Sequence, residues 1–224
     1  MENPDYLFPG FLAEAKILEE EGLRKASRQP KLAKLLEEWE HGANGEDFYD
    51  EAPSDLQRQI EDLLLKPIQG AVRKAAGQLA AARAVELFEG CGTVLIAINC
   101  GYSSIPSDLF QSLVLRSCRK DTSQIDFVAC LSVHHHQGPF DSCVFFHKDA
   151  VSVHENAAWH GFNAFMSAAD DLFLEAMTKM MQDQMNQSLW AVHLPPVEDI
   201  VFENNGVTYI RKAPPVLDSR NHRP

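Results

Sequence analysis

Phe11-Leu12-Ala13-Glu14-Ala15-Lys16-Ile17-Leu18 is an apolar run carrying two opposite charges one residue apart. Side chains alternate between faces along a strand, so a strand here turns Glu14 and Lys16 the same way and Ala15 the other. Asp5 stands nine residues before Glu14, behind Pro4, and Phe8-Pro9-Gly10 between them reads as a turn. The expectation is two short strands over residues 5–18, bringing two carboxylates and a lysine to one end of a sheet. Carboxylate oxygens suit a hard cation such as magnesium, which keeps open positions for water and phosphate. A neighbouring lysine can orient an attacking water or stabilise charge developing on phosphorus. The competing reading is an edge hairpin whose charges face water and discourage pairing with other strands.

Residues 19–41 are rich in Glu, Lys, Leu and Ala, with Leu32, Leu35, Leu36 and Trp39 at helical spacing. Gly, Asn, Asp and Pro over residues 42–53 predict a loop, and Ser54 is a suitable N-cap for the helix that follows. That helix extends to about Glu89, with Pro67 and Gly70 predicting a break or kink in its middle. Its alanine-rich second half lets it approach a sheet closely. Thr93-Val94-Leu95-Ile96-Ala97-Ile98-Asn99, bounded by glycines, reads as a fully buried strand. A helix opening near Pro106 and ending near Cys118, strands over 125–133 and 143–147, and a long helix from about Asn156 to Gln187 complete the pattern. Asn205-Gly206 within residues 200–211 predicts a hairpin with a type I′ turn. The expected fold is a single α/β domain over residues 1–212, a mixed central sheet flanked by helices. Residues 19–66 form a helical insertion, and residues 213–224 a disordered tail.

At 224 residues the chain can bury a sizeable core. Its 20 Lys and Arg against 32 Asp and Glu leave a net charge of −12, which argues against coating the protein in nucleic acid through bulk electrostatics. A nuclease with this balance needs a local basic groove, a cationic partner or metal ions. Arg73, Lys74, Arg83, Arg116, Arg119 and Lys120 are the candidates for a local phosphate-binding surface, or else solvated helix faces. Cys91, Cys100, Cys118, Cys130 and Cys143 form no Cys-x-x-Cys pair and read as reduced core thiols of a cytoplasmic protein. No apolar run reaches the ~20 residues of a membrane span, and no signal-peptide start is evident.

Other chemistries find less support. His134-His135-His136, with His147, His154 and His160 downstream, could offer zinc ligands, but adjacent strand histidines alternate faces. The favoured reading is a solvated loop end. Gly-x-Ser-x-Gly and both glycine-rich phosphate-binding patterns are absent. The methionines between Met177 and Met185 read as core or dimer interface.

Two strands carrying Pro-Asp and Glu-x-Lys, then a helix and a buried strand, resemble the core of the PD-(D/E)XK superfamily, the restriction-endonuclease-like nucleases. The resemblance covers residues 4–18 by motif and about 68–100 by pattern, and it implies such a core with a C-terminal extension. It implies that Asp5 and Glu14 bind Mg2+ or Mn2+, and that Lys16 is the catalytic lysine. Gln78 falls on the core helix where some members place an additional site glutamine. The family's core has a helix and a first strand before Pro-Asp. The resemblance therefore implies that another segment, a second subunit or residues outside this chain supply them. The function expected is a metal-dependent endonuclease hydrolysing phosphodiester bonds in DNA, possible as a homodimer. The alternative is a non-catalytic acidic binding protein that docks on a basic partner or imitates nucleic acid.

Overall fold

A computed structural model describes residues 5–8, 10–20, 22–37, 39, 47–50, 52–137, 142–154, 161–186 and 196–213. The two-residue alternation and the Gly10 turn, at φ +78°, fold the N-terminal stretch into antiparallel strands β1 (Tyr6–Phe8) and β2 (Phe11–Leu18). The apolar run after Gly90 becomes β3 (Gly92–Asn99), parallel to β2, and β4 (Phe127–Gln137) continues the parallel arrangement. β5 (Ser142–Ser152) returns antiparallel to β4, and the sheet order is β1-β2-β3-β4-β5. β4 and β5 both run further than the 125–133 and 143–147 that the sequence predicts. The histidine run lies inside the β4–β5 ladder rather than at a loop end.

Two crossovers connect the parallel strands. The first contains α1 (Gln29–Leu36) and α2 (Ser54–Arg83); the second is α3 (Ser107–Asp121). Among the described residues the helix predicted over residues 19–41 is confined to α1. Pro30 starts it, and a side chain at Gly22 would collide with Arg28 and Tyr102, so the chain before it packs as turns. Of the break or kink predicted at Pro67 and Gly70, a break does not occur: α2 runs through both. Ile60, Leu64, Ile68, Val72, Ala75, Leu79 and Ala82 make one buried stripe along it. At ~25 cal/mol per Å2, burial of this stripe outweighs the ~3 kcal/mol that an interior proline costs.

Alternation decides which residues meet which layer. Leu12 and Leu18 of β2, Leu95 and Ala97 of β3, and Val128 and Cys130 of β4 join α1, α2 and α3 in the main core. Ala13, Val94, Ile96, Phe127 and Ala129 face the opposite side, where Phe165 of α4 (Phe162–Asn186) packs on them and Phe173 stacks on Phe146 at 4.4 Å. An apolar cavity of about 930 Å3 lies between α4 and this face. Leu172 and Leu174 of α4 are exposed. Residues 156–160 of the predicted long helix lie outside the described residues.

β6 (Ile200–Asn204) and β7 (Val207–Arg211) form the predicted hairpin, with Asn205 and Gly206 at φ +51° and +78°. Ile200, Phe202 and Tyr209 pin it to the main core. Arg211, 5% exposed, locks it further. Its Nη1 donates to Asp47 Oδ2 at 2.8 Å and Asp50 Oδ1 at 3.1 Å, and its guanidinium lies over the Tyr49 ring. The predicted tail beyond Ala213 lies outside the described residues. No helix among the described residues is long and apolar enough to cross a membrane.

Candidate functional site

Glu14 and Lys16 share the alternation of Leu12 and Leu18, so β2 presents them to the layer covered by α2. Glu14 is 1% exposed, and its Oε1 pairs with Lys16 Nζ. Lys16 Nζ also donates to the Ala15 carbonyl at 3.2 Å. The second Glu14 oxygen, Oε2, is buried without a hydrogen-bond partner among the described residues. A buried carboxylate is costly unless its charge and lone pairs are met, so Glu14 is half satisfied.

Asp5 stands one residue before β1 and is exposed. Its Oδ2 accepts the Ala15 N–H at 2.9 Å, which ties its carboxylate to β2 between Glu14 and Lys16. The register of β1 on β2, with Tyr6 opposite Ala13, makes this reach possible. Pro4 lies outside the described residues. Gln78 sits half-buried on α2, the helix that packs over β2, and its Oε1 is buried with no partner among the described residues. The structure thus brings Asp5, Glu14 and Lys16 together on one strand pair, and sets Gln78 on the covering helix.

The chemistry of these donors suits a hard divalent cation. All are oxygens, and two buried ones lack the donors a hydrogen-bonded core would supply. Among the described residues no cluster of three or more His, Cys, Asp or Glu is placed to hold a metal ion. Magnesium takes one or two carboxylates and completes its shell with water and substrate phosphate.

Among the described residues the rival histidine site does not assemble. His134 is buried, His135 and His136 half-buried, and His147 and His154 exposed. His136 stacks edge-on against Phe145 at 5.2 Å. His160 lies outside the described residues. Burial, then repulsion from His136 and His147, lowers the His134 pKa to about 4 and keeps the ring neutral. The cysteines are free thiols; burial and Asp121 push Cys118 up to about 12, so it is inert.

Most of the candidate phosphate-binding cations are engaged within the fold. Arg73 pairs with Asp121, Arg83 with Asp126 at 2.8 Å, and Arg116 with Glu61 and Asp62. Arg119 Nε donates to the Val153 carbonyl at 3.2 Å. Asp126 also accepts from the Thr93 N–H and hydroxyl, so the Arg83 pair anchors the start of β3. The acidic partners of these arginines are distant in sequence, and no local pattern marks them.

No family model matches the chain, and neither a curated protein nor a solved structure does.

Proposed function

We propose that this protein is a metal-dependent phosphodiesterase acting on DNA, with a core of the restriction-endonuclease-like kind. Asp5 and Glu14 would hold Mg2+ or Mn2+, with Gln78 offering an amide oxygen nearby on α2. The ion, when bound, lowers the pKa of a coordinated water and stabilises charge on the phosphate. Lys16 holds the attacking water by donating a hydrogen bond, and its positive charge offsets the negative charge developing on phosphorus. Ala15 contributes through its backbone: its N–H fixes Asp5 and its carbonyl steadies Lys16.

One observation carries this reading. Glu14 is a buried carboxylate on a β-strand, paired on one oxygen with Lys16 and unpartnered on the other among the described residues. An edge hairpin with solvated charges does not account for it, because Glu14 does not face water. The test is cleavage of plasmid and single-stranded DNA with magnesium or manganese, wild type beside Glu14→Ala and Lys16→Ala. Metal-dependent cutting lost in both variants is the expected result, and equal inertness of all three overturns it.

The alternative is an acidic protein that binds a basic partner without catalysis. Its support is the net charge of −12 together with arginines already paired inside the fold. Magnesium separates the two. A ligand of the native state alone raises the melting temperature. The nuclease reading expects that rise in wild type and its loss in Glu14→Ala; the alternative expects no rise in either. A homodimer or partner completing the sheet at the short β1 edge is compatible with both.

A further inference from the structure

Just past the ends of β2 and β3, beside the C-terminal half of β4, the chain forms a second polar site. A crevice of about 160 Å3 opens there, its lining including Glu19, Arg24, Cys100, Ser103, His134 and His135. Its walls are held rigidly. The buried Asn99 side chain accepts the Tyr102 N–H at 2.8 Å and donates to the Tyr102 carbonyl at 3.1 Å, closing a turn. The Tyr102 hydroxyl accepts from Arg28 Nη1 at 3.0 Å, and Cys100 N donates to the Leu18 carbonyl at 3.2 Å. Gly101 lies so close to the Glu19 backbone that a Cβ would overlap it. Across the opening, Val197 N donates to the His135 carbonyl at 2.7 Å.

His134 is among the side chains that line this crevice. It is 9% exposed, and its Nε2 is buried without a hydrogen-bond partner among the described residues. Leaving such a group unsatisfied costs ~1–3 kcal/mol. The neutral ring offers one donor and one acceptor, Glu19 offers acceptors, and Arg24, whose Nη2 pairs with Glu198 Oε2 at 3.2 Å, keeps further N–H donors. The lining can therefore read a ligand edge that carries both kinds of group.

Size and charge narrow the ligand. A water in the liquid takes ~30 Å3, so the crevice has the volume of about five waters, against ~300–1,000 Å3 for a drug-sized pocket. That is room for one heteroaromatic ring. The net charge of −12, and arginines already paired with carboxylates, disfavour binding duplex DNA through its phosphates. Sequence-specific readers of single-stranded RNA splay unstacked bases out and hydrogen-bond their edges, a mode open to any unpaired base. His134 alternates with Val128 and Cys130, which places it on the same side of the sheet as Glu14 and Lys16. Three residue steps, about 10 Å at ~3.3 Å each, lead from Lys16 to Glu19 just past the end of β2.

Resting on the phosphodiesterase reading, we infer that the crevice receives an unpaired base of a single-stranded DNA substrate, next to the phosphate addressed by Lys16. The test uses binding, so it is independent of cleavage. Fluorescence anisotropy of a labelled 12-mer and its duplex, in EDTA, compares wild type with His134→Phe and His134→Gln. The expected result is single-strand binding at least about tenfold tighter than duplex binding. His134→Phe then weakens it about tenfold, His134→Gln weakens it less, and neither lowers the melting temperature at pH 7. In parallel, 15N spectra of wild type are recorded with each of the four deoxynucleosides, and at least one should move the His134 ring resonances. Equal affinity for duplex and single strand, unchanged binding by His134→Phe, or ring resonances unmoved by every nucleoside would each overturn the inference. Base binding without metal-dependent cleavage would leave the crevice standing and remove the phosphodiesterase reading. Cleavage lost in Glu14→Ala but unaltered in His134→Phe would do the reverse.

Discussion

Acidification from pH 7 to pH 5 should destabilise this protein by about 2 kcal/mol through His134 alone. The ring has a pKa of about 4 in the folded chain, against 6.5 for the ordinary side chain, chiefly because it is buried. In the unfolded chain it takes up a proton near pH 6.5. Between those values the unfolded state binds more protons than the native state, so stability falls as the pH falls. The slope is ~1.4 kcal/mol per pH unit, flattening near pH 4 after a total of about 3 kcal/mol. His136 is also lowered, by burial and then His135, and contributes in the same direction. Urea unfolding followed by far-UV circular dichroism at pH 7, 6 and 5 measures the effect, with His134→Phe as the control that removes only this group. The wild-type loss should exceed that of the variant by about 2 kcal/mol at pH 5. Parallel pH dependences, or a His134 ring titrating near 6.5 by NMR, would refute the reasoning.

Other outcomes follow from the packing. Arg211→Met should cost about 3–5 kcal/mol in urea unfolding, because it leaves Asp47 buried without its cation. Asp47→Asn should cost less, since an amide oxygen can still accept the Tyr49 and Asp50 N–H groups that Asp47 Oδ1 now accepts. Gly101→Ala should destabilise by about 3 kcal/mol or more, because the methyl meets the Glu19 backbone rather than a movable side chain. Gly77→Ala, on an exposed helical position with nothing near its missing Cβ, should stabilise α2 by about 0.5–1 kcal/mol. Thermal unfolding of the pair gives opposite signs if local packing, and not glycine content, governs them.

The strands were legible where periodicity and punctuation agree. Phe11–Leu18, Thr93–Asn99 and the Asn205-Gly206 hairpin combine apolar alternation or continuity with glycine boundaries, and all three form as predicted. Helix limits were not legible in the same way. Pro67 is a breaker by local propensity, yet the apolar stripe of α2 crosses it and burial wins. Residues 19–28 have helical composition, but Gly22 packs against Tyr102, a residue eighty positions on, and no local signal reveals that. For the candidate site, the joint facing of Glu14 and Lys16 was read from alternation alone. The burial of Glu14 and the capture of Asp5 by the Ala15 N–H were not.

Taken alone, the amino-acid order determined the α/β character, the alternation that pairs Glu14 with Lys16, and a charge balance that disfavours a broad phosphate-binding face. These are short-range or summed properties, set by backbone geometry and composition. Tertiary structure decided the rest. It carried the histidine run into a paired strand, neutralised Arg73, Arg83 and Arg116 with distant carboxylates, and gathered Glu19, Cys100 and His134 around one crevice. Burial and ion pairing act between residues that the fold brings together across tens of positions, and only the packed chain specifies those neighbours.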